Sequence, residues 1–271
     1  MCRWIAYSGA PIYLEDLIFH TEHSLIDQSL AARLGTSPTN GDGFGIGWYD
    51  DRDAPGLYRD THPAWNDANL RSLTAHIRSP LFLAHVRATT GTAVQRSNCH
   101  PFAHDRWLFM HNGLVRGFSS LRRALALAVD PALFSEITGT TDTEIMFFLA
   151  LSFGLQDDPL PALERMAGFI EATGRARGVT EPLMMTLGVS DGRRLYTVRY
   201  SSERDSRTLY YTRDAVTLSR AYPEVSRFSD DAVAVVSEPF DALKRWTPIP
   251  ESHALVVEGG AIELRPFTPR A

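Results

Sequence analysis

The order in which the hydrophobic pattern changes along the chain constrains its fold most. Strand-like runs at residues 3–7 and 81–86 and helical spacing at 14–19, 25–34 and 66–77 occupy the first third. Two helices are expected after residue 115, a third opening at Thr141 and a fourth over residues 160–173. From Leu183 onward strands return at 184–189, 195–200, 208–212, 232–236, 254–257 and 262–264, with turns at Asp191-Gly192 and Gly259-Gly260. Strands, then helices, then strands predict two antiparallel sheets with helices packed outside them. No repeat, low-complexity tract or charge block marks a linker, so residues 2–271 are expected to form a single domain.

Three local signals sharpen this pattern. Every second residue from Gly41 to Gly47 is glycine, which in a strand leaves one face bare for close approach. Asn112-Gly113, between 107–110 and 114–115, is the strongest hairpin signal in the chain. Thr141-Asp142-Thr143-Glu144 before an apolar run matches a capping box at a helix start, and Ser24 is expected to cap the helix at 25.

Composition removes several functions. The chain has 271 residues, 44% hydrophobic and 22% charged, with a net charge of −5, the profile of a folded protein without a field for nucleic acid or anionic membrane. Of 27 basic residues only Lys244 is lysine, and no glycine-rich loop surrounds it, which excludes phosphate-binding-loop chemistry. Two cysteines, Cys2 and Cys99, are too few for a zinc ribbon or a disulfide scaffold. The first residues lack a signal-peptide core, and the apolar run at 146–155 is roughly half a membrane span. A cytoplasmic protein with reduced thiols is expected.

Cys2 is the residue with the most chemistry in reach. Trimming of Met1 would leave its α-amine free, with a pKa near ~8, able to act as base for the thiol of the same residue. The alternative for an isolated Cys2 is a small hydrophobe in an edge strand. Downstream stand His85-Val86-Arg87-Ala88-Thr89-Thr90-Gly91, Asn98-Cys99-His100-Pro101-Phe102, His111-Asn112-Gly113 and Thr141-Asp142-Thr143-Glu144.

With Cys2, these elements resemble, in order, the glutaminase domain of class II glutamine amidotransferases, over roughly residues 2–200. Cys2-Arg3-Trp4 and residues 42–49 look like the stand-alone subfamily, which includes γ-glutamyl hydrolases of ergothioneine synthesis and glutathione breakdown. The resemblance implies an α+β N-terminal-nucleophile hydrolase fold of four layers, αββα, cleaving the γ-amide of glutamine or a γ-glutamyl compound through a Cys2 thioester. It implies Asn112 and Gly113 as oxyanion donors, Arg87 on the substrate α-carboxylate and Asp142 on its α-ammonium. Loss of one oxyanion donor typically costs about 10²- to 10³-fold in turnover. Each residue also has a plainer reading: a hairpin turn for Asn112-Gly113, a solvated arginine for Arg87, a helix-start acid for Asp142. Thr141 and Glu144 are assigned to the cap alone, and Cys99 to a loop or core without a catalytic task.

The segment Arg87-Ala88-Thr89-Thr90-Gly91 is one residue shorter than the Arg-Trp-Ala-Thr-His-Gly form of the family and lacks its tryptophan and histidine. Only about seventy strand-like residues follow residue 200, so a separate acceptor or synthase subunit stays open, as does the oligomeric state. The glycine stretch 41–47 is expected beside Cys2. The chemistry calls for no metal or organic cofactor. Three rivals remain at this point. A zinc hydrolase would use His85, Cys99, His100, His104 and His111, although Pro101 spoils a helical pair. A non-catalytic glutamine- or γ-glutamyl-binding module would keep Arg87 and Asp142 and leave an unprocessed N-terminus. Another N-terminal-cysteine amidase would act on acylated amino acids.

Overall fold

The computed structural model describes residues 2–34, 38–89, 91–212, 228–242 and 245–270. Met1, Thr90 and Lys244, each singled out above, lie outside the described residues. In chain order the first half holds β1 (Arg3–Tyr13), α1 (Glu15–Ile18), α2 (Leu25–Ala31), β2 (Phe44–Trp48), β3 (Gly56–Asp60), α3 (Ala68–His76), β4 (Arg78–Val86), β5 (Phe102–His104) and β6 (Trp107–Val115). Then follow α4 (Phe118–Ala126), α5 (Pro131–Phe134), α6 (Asp142–Ser152), α7 (Pro159–Arg175), β7 (Leu183–Ser190) and β8 (Arg194–Ser201). The remainder is β9 (Tyr210–Thr212), β10 (Val233–Val236), β11 (Thr247–Pro248), β12 (His253–Glu258) and β13 (Ala261–Pro266).

The strands form two antiparallel sheets, one ordered β11-β9-β10-β1-β4-β2-β3 and the other β13-β12-β8-β7-β6-β5. Residue alternation sorts their side chains into layers. On β1, Ile5 and Tyr7 pack with Phe82, Ala84 and Val86 of β4 against Leu17 of α1, Leu25 of α2 and Leu70 of α3. Trp4 and Ala6 point the other way, meeting Leu81, Leu83, Leu108 and Met110 between the sheets. The outer face of the second sheet carries Phe109, Met185 and Val198 against the apolar residues of α4, α6 and α7. The order is therefore helix, sheet, sheet, helix, the four-layer architecture expected.

Helix starts follow local chemistry. Ser24 caps α2 in a full capping box with Asp27. Thr141 accepts the Glu144 backbone N–H, but the Glu144 carboxylate turns away to the N–H groups of Thr138 and Gly139, so the expected box at α6 is half formed.

Two local expectations are overturned. Asn112-Gly113 is no hairpin turn: β6 runs unbroken and pairs with β7 from Leu108↔Ser190 to Val115↔Leu183. Glycine is needed there for space, because a Cβ on Gly113 would lie 2.0 Å from the Met184 carbonyl oxygen. The glycine stretch is a strand only from Phe44, and β4 separates it from β1: Phe44 and Arg3 both pair with Val86, from opposite sides. Its bare face receives the loop before β5 and the other sheet, since a Cβ on Gly45 would lie 2.3 Å from the His100 carbonyl oxygen and one on Gly47 2.8 Å from Leu108.

Candidate active site

Cys2 precedes the first residue of β1, a strand flanked on both sides by partners, β10 and β4. Its thiol faces the Ala88 carbonyl oxygen, with Sγ 3.6 Å away, just past the end of β4. Burial pushes the Cys2 thiol pKa up, against the opposing pull of Arg87 and Arg3. A standing thiolate is disfavoured there.

Asn112 reaches Cys2 from the second sheet. Its Nδ2 donates to the Cys2 carbonyl oxygen at 2.8 Å, and Arg3 Nη1 donates to the same oxygen at 2.9 Å. Asn112 is itself located by a relay between the layers: Trp4 Nε1 donates to Thr186 Oγ1 at 3.1 Å, and that hydroxyl donates to the Asn112 carbonyl at 3.3 Å. The sequence signal for this relay is a lone threonine inside the apolar run of β7, which motif reading passed over.

Gly113 and Asp142 line one cleft of about 590 Å³, together with Thr92, Ala93, Val115 and Arg122. Asp142 ties the end of β6 to the start of α6, its Oδ2 accepting from the Val115 N–H and its Oδ1 from the Thr143 N–H, both at 2.8 Å. Arg87 is buried behind this cleft rather than lining it among the described residues. Its guanidinium donates to the carbonyls of Asp42 and Ala93 and to the hydroxyls of Thr89 and Thr92. The structure thus brings Cys2 and Asn112 into direct contact, sets Gly113 and Asp142 on a common cleft, and holds Arg87 under its wall.

Glu238 was not foreseen. It is buried, and its carboxylate accepts from Arg3 Nε at 2.8 Å, the N–H groups of Arg33 and Leu34 at 2.8 and 2.9 Å, and pairs with His23 Nε2 at 2.6 Å. Burial works to raise its pKa, but the bonds from His23, the two backbone N–H groups and Arg3 outweigh it and hold it down to about 2. Its only sequence signal is an acid one serine past the apolar run of β10.

The histidines of the zinc reading do not converge. His104 bonds Glu136, and His111 bonds Thr143 Oγ1 and the Met184 carbonyl. His85 and His100 stack with ring centroids 4.3 Å apart, and burial lowers both pKa values, that of His85 to about 3. Among the described residues, the group with three ligand atoms close enough for a metal is Asp60, His62 and Asp67, elsewhere on the molecule.

Residues 18–270 match the family of class II glutamine amidotransferases. The chain belongs to that family. A probable glutamine amidotransferase of Saccharomyces cerevisiae is 30% identical, over 98% of this chain and 84% of its own length. A γ-glutamyl-hercynylcysteine sulfoxide hydrolase of Mycolicibacterium smegmatis is also 30% identical, over 98% of this chain and 100% of its own. Among solved structures, a glutamine aminotransferase class-II domain protein from Silicibacter pomeroyi superposes with a TM-score of 0.76 at 38% identity, covering 99% of this chain and 100% of that one. The glutamine phosphoribosylpyrophosphate amidotransferase of Bacillus subtilis, at 12% identity and a TM-score of 0.68, covers 99% of this chain and 50% of its own, and shares the fold. This class II amidotransferase is therefore an enzyme with the N-terminal-nucleophile fold, and the reading as a non-catalytic module is set aside. No helix among the described residues is long and apolar enough to cross a membrane.

Proposed function

We propose that this enzyme hydrolyses the γ-amide of glutamine or of a γ-glutamyl compound, with residues 2–271 acting as one glutaminase-type domain. The observation that carries the reading is the contact between sheets: Asn112 Nδ2 lies 2.8 Å from the Cys2 carbonyl oxygen, while the next residue, Gly113, opens onto the cleft that holds Asp142.

With Met1 removed, the Cys2 α-amine takes the thiol proton as Sγ attacks the γ-carbonyl carbon, and the C=O π electrons move onto oxygen. Asn112 Nδ2–H and the Gly113 N–H donate to that oxyanion. Collapse re-forms the carbonyl and expels the amine, which takes the proton from the Cys2 ammonium. The thioester then gives up its acyl group to water, whose proton returns to sulfur. Asp142 holds the α-ammonium of the glutamyl head. Arg87 holds its α-carboxylate, which replaces the Thr89 and Thr92 hydroxyls as acceptor for the guanidinium. The paired cation and anion fit an amino-acid head better than a fatty acyl chain, against the amidase reading.

The test is intact mass of the purified protein before and after treatment with a diazoketone analogue of glutamine, with the adduct mapped by peptide. Loss of Met1 and one adduct on Cys2 is expected. Retained Met1 with no adduct would sink the assignment.

A further inference from the structure

Successive residues of a strand open onto opposite faces, and β6 uses this at its catalytic end. Gly113 borders the cleft containing Asp142, whereas Asn112 borders a second cleft of about 260 Å³. Arg3, Met184 and residues 205–208 supply much of the second lining. A bond held between Asn112 and Gly113 therefore has the glutamyl head in the first cleft and the group it releases in the second.

The second cleft carries two arginines in different states. Arg3 is committed to Glu238 and to the Cys2 carbonyl. Arg207 is half-buried, and its guanidinium meets no hydrogen-bond acceptor or carboxylate among the described residues. The wall that presents it is anchored on both sides. Ser206 N–H donates to Glu251 at 3.1 Å, Thr208 Oγ1 donates to the Ser237 carbonyl at 2.9 Å, and Ile249 N–H donates to the Leu209 carbonyl at 2.8 Å. Leu209 itself is fully buried. The acid of the lining, Asp205, is exposed.

We infer that this second cleft receives the leaving group, and that Arg207 selects one bearing a carboxylate: an amino acid or short peptide joined to glutamate through its γ-amide. The inference rests on the γ-glutamyl hydrolase reading above. A half-buried guanidinium on a fixed wall is a forked donor matched to a carboxylate and already partly stripped of water. Free ammonia as the released group would have no use for it.

The experiment compares kcat/KM for γ-glutamylalanine, its C-terminal amide and a γ-glutamyl diamine, using the processed wild-type enzyme and the variants Arg207→Gln and Arg207→Glu. Glutamine hydrolysis measured alongside reports whether each variant retains its catalytic centre. The wild type should prefer the free acid over the amide by about tenfold or more, mainly through KM, the range expected for a hydrogen bond to a charged group. Arg207→Gln should bring that ratio close to unity, and Arg207→Glu should shift preference toward the diamine. Equal use of acid and amide by the wild type, or a preference that survives Arg207→Gln, overturns the inference while leaving the hydrolase reading in place. Wild-type preference for the diamine would assign the cleft to Asp205 instead and likewise overturns it. A wild type that hydrolyses neither glutamine nor any of the three compounds removes the hydrolase reading and this inference together.

Discussion

Two buried polar groups flank the opening residues of β1, and the fold treats them in opposite ways. Glu238, beside Arg3, is surrounded by four donors and keeps its charge. His85, the β4 partner of Trp4, has no hydrogen-bond partner on either ring nitrogen, and its stacked neighbour His100 has none on Nδ1. Burial disfavours charge at both places, and only directed donors can reverse it. The acid is thus a fixed anion bolting loop residues 33–34 to β1, whereas the histidine pair is a neutral filling between the sheets.

The contrast breaks most directly at Glu238. Glu238→Ala leaves Arg3 and His23 buried without their carboxylate and should cost about 3–5 kcal/mol in denaturant unfolding at pH 7.5. A loss below about 1 kcal/mol would mean that the network is not what holds this corner. Gly45→Val disturbs the histidine side instead, since its first added carbon meets the His100 carbonyl oxygen. Overpacking of this kind should cost about 1–3 kcal/mol, with a fall in turnover. Full activity and unchanged melting would contradict the close approach described for Gly45.

Acid separates the two regions by window. The folded pKa values of His85, His100 and His111 lie below their ordinary value, so the unfolded chain binds more protons and stability falls as pH drops below about 6.5. The slope should reach up to about 1.4 kcal/mol per pH unit for each of them, with the His85 contribution exhausted near pH 3. Glu238, held to about 2 against an ordinary 4.5, adds a loss of the same sign only below about pH 4.5. Melting curves flat between pH 6.5 and 4.5 would remove the histidine half of the comparison. The smallest change is expected from His85→Leu, which replaces a ring lacking partners by an apolar side chain. Stability at pH 8 should move by no more than about 1 kcal/mol, while the slope below pH 6.5 becomes shallower.

Much of this molecule is legible in its sequence, because strand alternation and helical spacing are local. Residues 184–189, 195–200 and 254–257 each fall within an observed strand, and the Ser24 cap stands where side-chain chemistry puts it. Asn112-Gly113 misleads as local structure because its glycine answers a distant demand, the Met184 carbonyl on the neighbouring strand. The glycines at 45 and 47 correctly announce close approach but not by what, since the His100 backbone lies in the loop before β5 and Leu108 on the other sheet. Glu238 and Thr186 carry no motif at all. Their roles exist only once residues more than 180 positions apart have met, as in the bond from Trp4 to Thr186. Arg87 and Asp142 are singled out by family pattern, but that one lies behind the cleft and the other on it follows only from the packing.

The glycines of β2 acquire a further meaning from where Cys2 and Asn112 are mounted. Cys2 is carried by one layer and Asn112 by the other, so the gap between the Cys2 thiol and the Asn112 amide is an interlayer spacing, held to tolerance like the jaws of a gauge. Gly45 and Gly47 are the thin shims in that gauge: with no side chain of their own they let the His100 backbone and Leu108 seat directly on the strand. Thickening either shim by a single carbon acts on the calibration of the instrument, without touching Cys2 or Asn112.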